Sequence, residues 1–463
     1  PLTSDPCARG FLSRVPASGG RWAVASAVPR LKGPRASMAF RFASPGVLTM
    51  DAAAFLTLAA ALSVPSGYSY GALLLLVLGL CAWPGVLAGR VRWTPPLALW
   101  GTAIAVMGLV WGMHIVDDSG RLVTHSLGLD RCIKYLLVLL CLPALLVRRP
   151  GVPALRWGCA IGAIGAGLTA LWEVLAKGLA RADGYTNSIQ FGNLALLLGV
   201  WSGVWALHAD TPRQRAAGWL GAALGLTASL ASGSRGGWVT LPLLVLLGLW
   251  LSPPLTRGGA HASMQRRGVR ALGLTAALCA LLVMLPPVQQ RAELAAHEYL
   301  QQEQSVGESS VGLRLAFWQL AWTQGLAHPW VGVGQGDYEK AQRSAVARQE
   351  MPRHAVLFNH AHNEWLDMFA KRGLLGVLAL ALFYAVPGGL FWRALRDTAG
   401  AATSATKARR AAALCGLIGV VGFLGFGMTQ VMFAHNNGNL MYLLTTSLWL
   451  AVCWHSARHD DIA

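Results

Sequence analysis

Apolar stretches of roughly 16 to 24 residues recur from about residue 51 to residue 454, each close to the ~20 residues an α-helix needs to cross a bilayer core. No other feature of the chain restricts its fold as strongly. No alternation of polar and apolar residues is sustained at ~10-residue spacing, which argues against a transmembrane β-barrel. Composition agrees: 54% of residues are hydrophobic, only 13% are charged, and mean hydropathy is +0.47, outside the usual range of a soluble domain. The expected fold is an all-α polytopic transmembrane bundle.

Twelve candidate spans can be drawn, at about 51–66, 70–88, 95–115, 131–147, 154–175, 188–207, 214–232, 236–251, 270–288, 374–395, 410–433 and 436–454. They divide the chain into a basic N-terminal extension (1–49), spans one to nine (50–288), a long polar segment (289–373), and spans ten to twelve with a short tail (374–463). Residues 1–49 hold seven Lys/Arg against one acid and show no helical period, so disorder is expected there. Met38 and Met50 both precede the first span, and a native start at either is compatible with that reading.

The formal charge of +18 is spread over short loops rather than gathered on one domain, which points to membrane topology and not to nucleic acid. Loops 89–94, 148–156, 208–215, 252–270 and 393–410 carry sixteen Lys/Arg, among them Arg148, Arg149, Arg266, Arg267, Arg409 and Arg410. The positive-inside rule makes these loops cytoplasmic and puts 289–373 outside. Seven of the eight cysteines lie in or at the ends of apolar segments and none forms a C-x-x-C pair, so they read as small packing residues.

The outer segment is too long for a structureless loop. Helices are expected at Glu293–Gln304 and Leu313–Gly325, a turn at GVGQG (332–336) within the Gly-rich VGVGQGDY (331–338), and a further helix N-capped by Asn359 and running to Gly373. With that cap His362 falls in the first helical turn, where the helix dipole keeps an imidazole neutral. A neutral ring can act as general base, with Glu364 or Asp367 to orient it; the competing reading is a polar histidine at a helix start. His360 and His362 also raise a metal site, but i and i+2 do not share a helical face, so no metal is expected. Arg314 shares a face with Phe317 and Trp318, where its planar fork suits phosphate oxygens or snorkels to headgroups. Arg235, in the turn ASGSRGG between two spans, suits an anion, the alternative being a tight turn and nothing more. Arg131 and Lys134 extend the same electropositive ring. Asn187 and Gln190 bring polar groups to the entry of the sixth span, where substrate contacts are expected. Tyr338 and His360 complete the substrate-binding candidates.

Three pieces in order, SRGGW (234–238), Arg314-x-x-x-Trp318 with HPWVGVGQGDY (328–338), and HAHNEWLDMFAKRGLLG (360–376), together resemble the O-antigen ligase/polymerase superfamily of membrane glycosyltransferases. The resemblance covers the chain from about residue 51. It implies a GT-C-like enzyme of the bacterial inner membrane, its site facing the periplasm, that uses saccharide on undecaprenyl pyrophosphate without metal or other cofactor. It makes His362 the base and Arg235 and Arg314 the pyrophosphate ligands. Among its branches a ligase, with lipid A-core as acceptor and membrane lipids around it, fits better than a polymerase. The reading outside the family is a lipid-linked saccharide transporter or an anion-binding scaffold; a transporter predicts repeat symmetry and broken midplane helices, whereas no convincing repeat is evident and the polar candidates cluster at one outer face.

Overall fold

The computed structural model describes residues 45–114, 129–252, 261–300, 310–398 and 403–454. The N-terminal extension up to residue 44, most of the 116–130 loop, residues 253–260 and 399–402 of two basic loops, residues 301–309 of the outer segment and the tail from 455 lie outside them. Among the described residues every regular element is helical.

The first half comprises α1 (Pro45–Ala59), α2 (Tyr68–Leu87), α3 (Pro95–Trp111), α4 (Leu129–Val147), α5 (Val152–Leu171, continued by a π-helical turn, Trp172–Ala176), α6 (Ser188–Leu207), α7 (Pro212–Ser232) and α8 (Arg235–Leu251). Then follow α9 (His261–Val283), α10 (Pro286–Leu300), α11 (Ser310–Ala327) and α12 (Gly334–Ala347), a 3-10 turn (Arg353–Leu357), α13 (Glu364–Asp397), α14 (Ser404–Gly427) and α15 (Asn436–Trp454). A helix occupies each of the twelve expected stretches. Five of them, α2, α5 with its extension, α6, α13 and α14, are long and apolar enough to cross a membrane, and a bent pair in α9 and α10, broken at 77°, makes a sixth if counted as one span. The difference from twelve has two local causes: α1, α3 and α8 are apolar but short, and polar residues such as Asp130, Arg131 and Lys134 in α4, or Asn436, Asn437 and Asn439 in α15, dilute helices whose remaining residues are apolar.

Burial orders the bundle. In α6 and α14, 89% and 78% of the most apolar window is buried, against 17% in α2, so the first two are central and the last peripheral. Leu73, Val77, Leu80 and Leu87 of α2 are exposed, as expected of a face turned to lipid. The centre is aromatic: Trp100 stacks on Phe383 at 5.1 Å, and its indole N–H donates to Ser447 Oγ at 2.9 Å, a buried donor satisfied across helices.

Two of the motifs interlock. Within α13 the backbone breaks at Gly373 (φ 61°, ψ −156°), a conformation open essentially to glycine. The turn at 329–333 fills that break: Leu374 N–H donates to Pro329 O at 2.7 Å, Leu375 N–H to Trp330 O at 3.2 Å, and Val333 N–H to Ala370 O at 2.9 Å. A Cβ on Gly373 would overlap the Trp330 carbonyl, and one on Gly332 (φ +69°) would overlap Arg372 N. Gly373→Ala is therefore expected to cost about 2 kcal/mol or more, read as a lowered thermal midpoint in detergent. The expected turn over 332–336 is corrected by the same contacts: only its first residues belong to the turn, and Gly334 opens α12, whose Tyr338 packs with Ala321, Ala361 and Ala370.

Candidate functional site

The site grows from the start of α13, four residues later than the sequence suggests. Asn363, not Asn359, is the N-cap: its Oδ1 accepts from Trp365 N at 3.0 Å and Leu366 N at 3.2 Å. Asn359 instead offers its carbonyl to Gln335 Nε2 and Lys371 Nζ, both at 2.8 Å. His362 thus precedes the helix, in a left-handed conformation (φ 51°) that a bulky side chain adopts only when its surroundings hold it.

Those surroundings are aromatic. The His362 ring sits 5.6 Å from Phe317, 5.1 Å from Phe358 and 4.3 Å from His360, with 7% of the residue exposed. Burial first, and then the charge of Arg314, lowers its pKa to about 3, while a hydrogen bond with the Gln430 side chain acts the other way. The neutral ring expected from a helix dipole is therefore produced by desolvation and an arginine. Nor do the expected carboxylates orient it. Glu364 Oε2 accepts from Phe433 N at 3.1 Å, and Asp367 Oδ1 takes Lys371 Nζ at 2.6 Å and Ala361 N at 2.9 Å. His362 Nδ1 is buried with no hydrogen-bond partner.

The wall opposite is the segment between α14 and α15. Arg131 Nη1 donates to Phe433 O at 2.9 Å, and Asn363 Nδ2 donates to Met428 O at 3.2 Å. His435 lies 5.5 Å from His360; burial and Arg131 lower its pKa to about 4, and burial with the neighbouring cations puts that of His360 well below the ordinary value. His360 Nδ1 accepts from His362 N at 3.3 Å, so that nitrogen carries no proton. Arg372 stacks over Trp111 at 3.8 Å, and Arg131 lies 5.8 Å from the same ring. The result is a pair of arginines, Arg314 and Arg131, beside three neutral imidazoles, a combination able to bind a dianion and accept a proton. Among the described residues no group of three His, Cys, Asp or Glu is arranged to hold a metal ion.

The other candidates divide. Arg314 and Arg131 reach the histidines electrostatically. Arg235 opens α8 and lines an apolar cavity of about 370 Å³ with Trp238, Pro242 and Leu282; its neighbour Gly236 abuts Thr429, one residue before Gln430. Asn187 is spent as the N-cap of α6, and Lys134 is engaged by Asp130 and Asn436, both at 2.6 Å. Gln190 is fully buried with both amide atoms unpartnered, beside Gly438. Tyr338 is fully buried beneath Lys371, 4.8 Å from its ring, which makes it packing rather than a substrate contact in this structure. Gln430, His435 and Arg372 were not evident from sequence; the available signal was the polar run QVMFAHNNGN (430–439) between two apolar spans.

Residues 220–381 match the family model described as O-antigen ligase. Over that stretch the chain is similar to the O-antigen ligase family. The match contains Arg235, Arg314, His360, His362 and Arg372, whereas Arg131, Gln430 and His435 lie beyond it and reach the O-antigen ligase domain only through folding. An uncharacterized protein of Haemophilus influenzae is similar at 26% identity over 279 residues, 60% of this chain and 67% of that protein. Apolar helices and the family match together support a membrane protein of O-antigen ligase or polymerase type.

Proposed function

We propose that this chain is an inverting, metal-independent glycosyltransferase of the inner membrane that moves O-antigen from undecaprenyl pyrophosphate to a lipid A-core hydroxyl. The twelve helices would form a GT-C-like bundle, with α11 and α12 as a cap on the periplasmic face. The observation that carries the reading is His362: a neutral, aromatic-lined imidazole with a bare Nδ1 next to Arg314.

A hydrogen bond in which Gln430 Oε1 accepts from His362 Nε2–H would leave the Nδ1 lone pair as proton acceptor. The acceptor hydroxyl gives its proton to Nδ1 as its oxygen attacks the anomeric carbon. The bond from that carbon to the pyrophosphate oxygen breaks, and its electron pair leaves with undecaprenyl pyrophosphate. Arg314 and Arg235 stabilise the developing charge. Two observations bear on order. With the residue 7% exposed, the acceptor reaches Nδ1 only after Phe358 or α11 shifts. A donor pyrophosphate beside Arg314 offsets the charge that depresses His362, so the ring becomes a stronger base once donor is bound.

The direct test is the purified chain with lipid-linked O-antigen and lipid A-core, with the product linkage read by NMR. Inverted linkage formed in EDTA supports the proposal; no transfer sinks it, and repeat elongation without lipid A-core would mark a polymerase instead. Arg314→Gln provides a second measurement. His362 acts in its neutral form, so rate is lost as pH falls through its pKa. Removing the arginine raises that pKa from about 3 towards the ordinary 6.5, and the acid limb of kcat/KM should move to higher pH. An unmoved limb in a variant that still turns over would separate Arg314 from His362.

A further inference from the structure

Beyond the break at Gly373, α13 continues as a helix long and apolar enough to cross a membrane, and its exposed residues form one stripe. Leu375, Leu378, Leu382, Ala385, Gly389 and Trp392 follow one another at intervals of three or four residues, the spacing of a single helical face, and each is exposed. From Leu375 to Trp392 the stripe is about 26 Å long, a few ångströms short of the ~30 Å hydrocarbon thickness of a bilayer. Trp392, Arg393 and Arg396 mark the membrane boundary at one end of it. The other boundary then falls just beyond Leu375.

The edge of the cap stands at that level. Leu375 N–H donates to Trp330 O at 3.2 Å, which fixes the 329–333 turn to the top of the stripe. Trp322 and Leu326 share a face of α11 at i and i+4, and the Trp322 ring lies 5.4 Å from Phe369 of α13. Trp322, Leu326 and Trp330 are each more than half exposed, and Val331 is exposed next in the chain. α12 differs: it exposes Asp337, Lys340 and Arg343, tied into ion pairs along its own length.

Large apolar side chains gathered on one exposed edge call for a cover. Tryptophan is suited to the membrane–water boundary, where its ring is apolar on one side and its N–H is wet on the other. We propose that this edge of the cap is a membrane-contact surface, with Trp322, Leu326 and Trp330 seated in the headgroup–acyl boundary of the lipid surface at that end of α13. Continuity selects lipid over a soluble protein or a second copy, because the patch extends the lipid-facing stripe of α13 and completes the thickness that the stripe alone lacks. The hydrogen bonds across the Gly373 break hold Trp330 at this level. The lipid surface thereby steadies one end of α11, whose first half places Phe317 against His362. The inference goes beyond the glycosyl-transfer reading and does not depend on it, since the surface contains no residue of the histidine site.

The test uses the full chain in lipid nanodiscs that hold one copy each, with an environment-sensitive fluorescent amino acid at Leu326 and, in a second preparation, at Lys340 on α12. The Leu326 probe is expected to be quenched by lipids brominated high on their acyl chains, at a depth of about 5–10 Å, and to be shielded from aqueous iodide about fivefold or more relative to the Lys340 probe. The Lys340 probe should be quenched by iodide and not by the brominated lipid. Leu326 is exposed, so its replacement leaves packing intact; a probe at Trp330 repeats the measurement if the first lowers the thermal midpoint. Iodide quenching at these positions equal to that at Lys340 overturns the proposal, because the cap then stands clear of lipid. Shielding from iodide without quenching by brominated lipid also overturns it, since protein would then cover the patch. Shielding found only in discs loaded with two copies would assign the surface to self-association instead.

Discussion

His362→Ala should lower kcat for saccharide transfer by about 10²- to 10⁴-fold, the range a positioned general base contributes. The size follows from the absence of a substitute. His360 is the nearest other imidazole, but its Nδ1 is occupied by the His362 amide and its ring meets His362 edge to face. His435 is farther off, against His360. Alanine also removes a ring packed between Phe317 and Phe358, so lost activity alone could reflect a loosened pocket. His362→Gln fills more of that space and cannot accept the proton at neutral pH. A loss in both variants with an unchanged thermal midpoint assigns the effect to proton transfer; transfer at the wild-type rate in either would end the general-base proposal.

The second large effect is on stability. Asp367 and Lys371 form an ion pair at 2.6 Å with both side chains almost completely buried. The pair also pins the approach to the histidines: Asp367 holds Ala361 N, and Lys371 holds Asn359 O. Asp367→Asn leaves the ammonium buried without its counter-charge, and such a break is expected to cost about 3–5 kcal/mol. Combining it with Lys371→Met removes the orphan charge and should recover at least half of that loss, because an apolar replacement of a buried pair is often tolerated. Unfolding in detergent measures both. A single-variant cost below about 1 kcal/mol would mean that the pair does not staple this loop.

The same residues explain where sequence reading stopped. Asn359 and Asn363 are both good caps, and nothing in FNHAHNE ranks them. The choice falls to Asn363 because Asn359 turns its carbonyl to Gln335 and Lys371, from α12 and α13. That shift of four residues moves His362 out of the helix and changes why it is neutral. Arg235 was legible as an arginine between two spans, but the apolar cavity beside it is completed by α9 and α10, whose residues lie roughly 45–55 positions away.

The sequence by itself determined that this chain is a bundle of apolar helices, because a run of about 20 apolar residues has few other ways to satisfy its backbone. It also marked the short motifs with histidine and arginine as the candidates for chemistry, since such residues are costly to keep in an apolar chain. Only the tertiary structure decided how they meet. Gln430 and His435 come to His362 from the α14–α15 connection, and Arg131 comes to His360 and His435 from α4. Desolvation is the physical reason: the proton affinity of an imidazole is set by which groups surround it, and those groups are neighbours only after the helices have packed.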